Sequence, residues 1–154
     1  MIIESLPLPV ALTELIESGN WPANAAEANQ QHRGRMIPSH LVKEVADDEE
    51  EIYLHPAPFH TIAHECGKSR STFWDECGAL NEIDPSRAVI LGDFGMGSDS
   101  PIILDYRVSL TDPEVWRLKW GEPYGSGNHW KIVAPTFSQF ASKLRLTELR
   151  FRTP

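Results

Sequence analysis

Three groups of residues in this chain are of types that can do chemistry. The first is imidazole and thiol: His55, His60, His64 and Cys66 fall within twelve positions. Two imidazoles and a thiolate suit zinc, and His60 with His64 would share one face of a helix. A closed zinc site needs a fourth fixed ligand, and the spacing matches no established Cys/His pattern. The favoured reading is therefore a set of hydrogen-bonded imidazoles beside Phe59, with no metal. The second group is carboxylate. Asp93, Asp99 and Asp105 flank a Gly/Ser/Asp-rich stretch, and their convergence would give the magnesium site of a small metal-dependent hydrolase. Short acidic side chains also satisfy amides in tight turns, where glycines supply positive φ, so a structural turn outweighs a catalytic site. The third group is the run Asp47-Asp48-Glu49-Glu50-Glu51. Such a run is a solvated loop by default and a docking patch where a partner presents cations. It lacks the alternating ligands and glycine of a calcium loop.

Other fragments imitate motifs without their context. Asp93-Phe94-Gly95 has no glycine-rich loop, strand lysine or catalytic loop before it, so it is not a kinase metal site. Gly67-Lys68-Ser69 would end a phosphate-binding loop, but Ile62 stands where that loop needs glycine. His64-Glu65-Cys66 lacks the downstream cysteine pair of zinc deaminases. No serine sits in a Gly-x-Ser-x-Gly elbow. The chain is read as non-enzymatic and without a cofactor.

Charge narrows the partners. Of 154 residues, 22 are acidic and 14 basic, a formal net charge of −8. Four of the basic residues (Lys143, Arg145, Arg150, Arg152) lie in the last twelve positions, against one acid, Glu148. The rest of the chain is thus more acidic than the whole and repels phosphate backbones, which argues against direct nucleic-acid binding. Cys66 and Cys77 are too few for a disulfide framework. The start has no basic n-region, and Pro7 and Pro9 interrupt its apolar stretch. No run of about 20 apolar residues occurs, so no membrane partner and a reducing cytoplasm are expected.

The elements that must position these groups follow from periodicity. Leu8, Ala11, Leu12, Leu15 and Ile16 recur at helical spacing before Gly19, predicting a helix over about 9–18. Residues 23–35 read as surface helix or loop. A second short helix follows Ser39, with Leu41, Val42 and Val45 inward. Residues 52–54 form a short strand, 55–58 are extended by their prolines, and 71–80 form a helix. The second half changes period: strands are predicted at 88–91, 102–107, 115–120 and 130–134, with a turn over 92–101 and a hairpin loop over 121–128. Trp116, Leu118 and Trp120 alternate onto one face, opposite Val115, Arg117 and Lys119. Trp21 packs under the sheet, whereas Tyr124 and Trp130, near the glycine loop, are the candidate anchors for a partner. Thr136-Phe-Ser-Gln139 is a capping box opening a terminal helix, and Leu146, Leu149 and Phe151 dock the tail. The chain is read as one domain over 1–154, α+β, with N-terminal helices, a mostly antiparallel sheet in the second half and a C-terminal helix.

Residues 90–106, Ile-Leu-Gly-Asp-Phe-Gly-Met-Gly-Ser-Asp-Ser-Pro-Ile-Ile-Leu-Asp-Tyr, resemble the central signature of the SUKH superfamily, the Syd-, Smi- and Knr-like proteins. Gly92, Asp93, Gly97, Asp99 and Leu104-Asp105 fit its Gly/Asp turn between apolar strands. Residues 115–120 look like the following strand, and Ala134–Leu144 like the closing Phe-x-x-Phe helix. The resemblance covers about 83–144. Residues 1–82 depart from the common pattern. It implies an α+β domain without enzymatic machinery. It also implies an immunity protein that binds and neutralises a cognate bacterial toxin, commonly a nuclease. Fungal relatives imply the alternative of a regulatory scaffold binding the cell's own proteins. The expected partner is a basic toxin domain, met by Asp47–Glu51 and by Tyr124 and Trp130.

Overall fold

The computed structural model describes residues 2–3, 5–68, 72–95, 100–121 and 127–152. The chain opens with a two-stranded ladder, β1 (Ile2–Ile3) against β2 (Leu6–Pro7). Pro9 then supplies the extended residue before α1 (Val10–Glu17), whose Leu12, Leu15 and Ile16 face inward. Gly19 ends that helix at φ +80°, where Asn20 and Trp21 both donate amides back to the Leu15 carbonyl. The 23–35 stretch holds a single turn, α2 (Ala25–Ala28), capped by the Asn24 side chain, and a 3-10 turn over Asn29–Arg33. Helix α3 (Ser39–Val45) and strand β3 (Ile52–Leu54) fall where periodicity placed them.

Helix α4 (Ile62–Glu65) was not anticipated. It is one turn long, nucleated by Thr61 Oγ1 accepting the His64 amide, so it carries no apolar periodicity to detect. Helix α5 (Phe73–Gly78) follows, within the predicted 71–80. The strands are β4 (Ala88–Phe94), β5 (Pro101–Asp105), β6 (Glu114–Lys119) and β7 (His129–Ala134), and α6 (Phe137–Lys143) closes the fold behind its Thr136 cap. Strands β3 to β7 form one antiparallel sheet in the order β3-β4-β5-β6-β7, with Arg117 opposite Ile102 and Lys131. The architecture is α+β, with the antiparallel sheet mostly in the second half and a C-terminal helix.

Strand β4 runs three residues past its predicted end because β3 pairs with Gly92, Asp93 and Phe94. Gly92 permits this: a Cβ there would lie 2.3 Å from the Tyr53 carbonyl oxygen, inside any allowed contact. The ladder slips between Ile90 and Gly92, a bulge beside the glycine. The outer edge of β3 is closed by a side chain. Gln31 accepts the Leu54 amide and donates to the Leu54 carbonyl, at 2.8 and 2.9 Å, as a neighbouring strand would.

Both sheet faces are covered. Val89, Leu91, Phe94, Ile102, Leu104 and Val115 form the main core with α1, α3, α6 and the tail. Trp21 lies fully buried there against Phe59 and Phe137, its indole N–H donating to the His55 carbonyl at 2.8 Å. Ile90, Ile103, Leu118 and Trp130 form a second core with α4 and α5, against which Trp116 and Trp120 pack. The alternation of 115–120 thus separates two cores. Leu146 and Phe151 are buried, and Asn20 donates to the Thr147 and Leu149 carbonyls, so the tail docks on the end of α1. Arg152 is spent inside the chain, on the Ile16 carbonyl and on Glu27. No helix among the described residues is long and apolar enough to cross a membrane.

Candidate functional site

The acidic run is not the open patch expected from sequence. Asp48 meets Arg117 Nη1 and Lys119 Nζ, both at 2.7 Å, and Glu49 meets Arg117 Nη2 at 2.5 Å. Glu50 lies near Arg35 and Lys43, and Glu51 binds Arg35 at 3.1 Å. Asp47 alone of the five forms no ion pair among the described residues. The reason is β6, which projects Arg117 onto the main-core face, where it is buried over the Phe94 ring at 4.9 Å. A buried guanidinium requires counter-charges, and the loop after α3 brings them. Burial alone would raise the Asp48 carboxyl. The Lys119 hydrogen bond, then Arg117, outweigh it and hold the group below its ordinary value. Arg117 is the residue that sequence reading missed. A lone arginine between Trp116 and Leu118 was the available signal.

Asp93 and Asp105 do not converge. Asp93 is opposite Pro101 and Asp105 is opposite Ala88, so they mark the two ends of the β4–β5 ladder. Four residues of strand separate those ends, about 13 Å at strand rise. That distance excludes one magnesium ion held by both Asp93 and Asp105, two of the three carboxylates in the expected Asp93/Asp99/Asp105 centre. Asp105 is buried and bidentate to Arg107, at 3.0 and 2.6 Å, and its Oδ1 accepts the Arg107 amide. It shapes the turn leaving β5. Gly92 admits β3, as described above. Gly97 and Asp99 lie outside the described residues.

The His/Cys group divides. His60 and His64 stack with ring centroids 4.2 Å apart and planes within 8°. Glu65 joins them, with one potential ligand atom from each of the three lying within 4.8 Å of the others. His55 instead faces Tyr53, and burial lowers its pKa. Cys66 Sγ points to the Trp74 carbonyl at 3.6 Å. Burial, then the carboxylate of Asp75, push its thiol up. Cys77 is pushed up to about 12 by burial and by Cys66.

Of the two anchors expected from sequence, Trp130 is a correction. It is only 2% exposed, and its indole N–H donates to the Cys77 carbonyl at 2.8 Å. Edge strand β7 turns it inward over the second core. Tyr124 lies outside the described residues. A partly buried aromatic group lies instead on α5 and just after β6. Phe73 packs edge-on against Trp74 at 5.0 Å and lies nearly parallel to Trp120 at 6.4 Å. Phe73 and Trp120, with Glu76, Cys77, Leu80, Leu118, Gly127 and Asn128, line a cavity of about 470 Å³. Asn128 Oδ1 accepts the Gly121 amide and ties the rim of the hairpin loop. From Thr72 to Asp84 the chain carries four carboxylates and no lysine or arginine, and of these Glu76 lines the cavity. Aromatic faces beside carboxylates attract an arginine or lysine side chain, through the ring quadrupole and through Coulomb attraction. Phe73 and Trp74 on α5 are partly buried and pack against the second core.

No protein-family model matches the chain, and no curated protein or solved structure is significantly similar to it.

Proposed function

We propose that this chain is a non-enzymatic protein-binding domain of the immunity type, which neutralises a basic toxin domain by covering its working surface. The observation that carries the proposal is the α5–β6 face: an aromatic cavity with the Glu76 carboxylate in its lining, on a chain of net charge −8. A cationic partner side chain entering between Glu76 and the Phe73 and Trp120 rings loses water and gains π faces and a carboxylate together. Desolvated aromatic and charge contacts of this kind supply most of the energy in protein interfaces. The acidic surface adds steering toward a cationic partner. The likeness of 83–144 to the SUKH signature supports the same reading. Asp47–Glu51 have a smaller place in it, since four of the five carboxylates are engaged within the chain.

The test is rescue in cells. The chain is co-expressed with a toxic domain encoded beside its gene, as wild type and as Glu76→Lys. Growth restored by the wild type and lost with Glu76→Lys supports the proposal. Failure of the wild type to protect contradicts it. Glu76 is exposed, and its hydrogen bond in the structure is with the neighbouring Thr72 hydroxyl, so the substitution leaves the fold intact.

A further inference from the structure

We propose a divalent transition-metal site, best suited to zinc, formed by His60, His64 and Glu65 and held shut in the metal-free chain by Lys68. The donor set is two imidazoles and one carboxylate, a combination that binds zinc and leaves one position for water or for a ligand from another molecule. Tetrahedral coordination at zinc–ligand distances near 2.1 Å places donors about 3.4 Å apart. The potential ligand atoms of the three residues already lie within 4.8 Å of one another. The remaining approach of roughly 1.4 Å is within what side-chain rotation supplies.

The backbones that carry the ligands are fixed, which separates this group from a chance surface cluster. The His60 carbonyl accepts the Ile90 amide at 2.9 Å, and Thr61 bridges to Val89, so His60 is attached to the sheet. The His64 amide donates to Thr61 Oγ1 at 3.0 Å, and the Glu65 amide to the Thr61 carbonyl at 3.3 Å. One residue, Thr61, therefore sets the position of all three ligands. His60 and Glu65 also line a cavity of about 320 Å³ together with His55, Trp74 and Ile90, onto which the open metal position would give.

Lys68 explains how the metal-free arrangement is held. Its Nζ lies 2.8 Å from His64 Nε2, so the ammonium donates to one of the two ring nitrogens through which His64 can bind a metal. A positive charge at that point also repels a divalent cation. The lysine is exposed and its side chain flexible, so metal displaces it by rotation, at the cost of that hydrogen bond. The ligand set differs from the His55/His60/His64/Cys66 grouping suggested by sequence, because His55 and the Cys66 thiol face other partners.

The experiment is calorimetric titration of zinc chloride into the purified full chain, in a buffer that does not bind zinc. Wild type takes up one zinc per chain. The variant His60→Ala/His64→Ala weakens uptake at least about tenfold, Glu65→Gln weakens it less, and Lys68→Ala tightens it several-fold. Cys66→Ser leaves it unchanged. Thermal unfolding without metal checks that each variant folds. The proposal is overturned by the absence of stoichiometric uptake in both wild type and Lys68→Ala. It is equally overturned by uptake that survives the double histidine variant or depends on Cys66. Because the readout is metal uptake and not partner binding, either result leaves the toxin-binding proposal to its own test.

Discussion

Arg117 and its carboxylates make an asymmetric prediction. The arginine side chain is 5% exposed, whereas Asp48 is 38% and Glu49 23% exposed. Removing the carboxylates, in Asp48→Asn/Glu49→Gln, strands a cation that cannot reach water. Breaking a buried pair in this way costs about 3–5 kcal/mol, and the solvent screening of Asp48 places this case near about 3 kcal/mol. Removing the arginine, in Arg117→Met, leaves Asp48 on Lys119 and only Glu49 without its partner, free to hydrate, while the thioether keeps contact with Phe94. Its net cost is about 1–2 kcal/mol. The triple variant has no stranded charge and falls within about 1 kcal/mol of wild type, a coupling of several kcal/mol across the network. The assay is urea unfolding of all four proteins at pH 7. At about 2–4 °C per kcal/mol for a chain of this size, the double variant also melts about 6–12 °C low. The pH dependence carries the sign. The Asp48 carboxyl is held below its ordinary value, so its contribution is present above the unfolded carboxylate pKa and is lost as pH falls through the folded one. Arg117→Met therefore flattens the acid side of the stability profile only in part, because the Lys119 hydrogen bond to Asp48 remains. The reasoning is refuted if Arg117→Met proves more destabilising than the carboxylate pair, or if the effects simply add.

Other expectations follow from single contacts. Gly92→Ala forces its Cβ onto the Tyr53 carbonyl and costs about 2–3 kcal/mol, with hydrogen exchange accelerating first in β3. Gln31→Ala leaves both Leu54 backbone groups without a partner at the sheet edge. It lowers urea stability by about 1–3 kcal/mol, whereas partly buried Gln30→Ala, which gives up one carbonyl contact, costs less. Tyr106→Phe removes the donor to the Pro7 carbonyl and costs about 1 kcal/mol; the phenol, pushed up by burial, stays protonated in a spectroscopic titration to pH 11. With its pKa near 12, Cys77 resists alkylation at pH 8 until the chain is unfolded, as mass spectrometry of the labelled protein would report. Rapid labelling of the folded state would contradict the burial of that thiol.

The sheet was legible because alternation is a property of sequence. Trp116, Leu118 and Trp120 part from Val115 with a period of two, and the strand that carries them is where it was expected. The terminal helix was equally plain, since Thr136 and Gln139 fix its first turn and Phe137 and Phe140 its inner face. Single-turn α4 was illegible because its only signal is the Thr61 cap. The charged sites were harder, for a physical reason: a carboxylate's role depends on what lies opposite it in space. Asp48 and Glu49 meet an arginine 68 or more residues away, and nothing near Asp47–Glu51 in sequence announces that pairing. Trp130 was misplaced for the same reason. Its indole finds the Cys77 carbonyl across the second core, and only the packing of α5 on the sheet places that acceptor there. His60 and His64 were seen together in sequence, but the third member, Glu65, emerged from the Thr61-capped turn.

The central proposal is that the α5–β6 face is a protein interface. The most direct test is calorimetric titration of the purified chain with the purified toxic domain encoded beside its gene, at two salt concentrations. The predicted result is one-to-one association that weakens as salt rises and falls at least about tenfold with Glu76→Lys, while Val10→Ser, exposed on α1 behind the opposite sheet face, is without effect. No association, or equal affinity for wild type and Glu76→Lys, would contradict it.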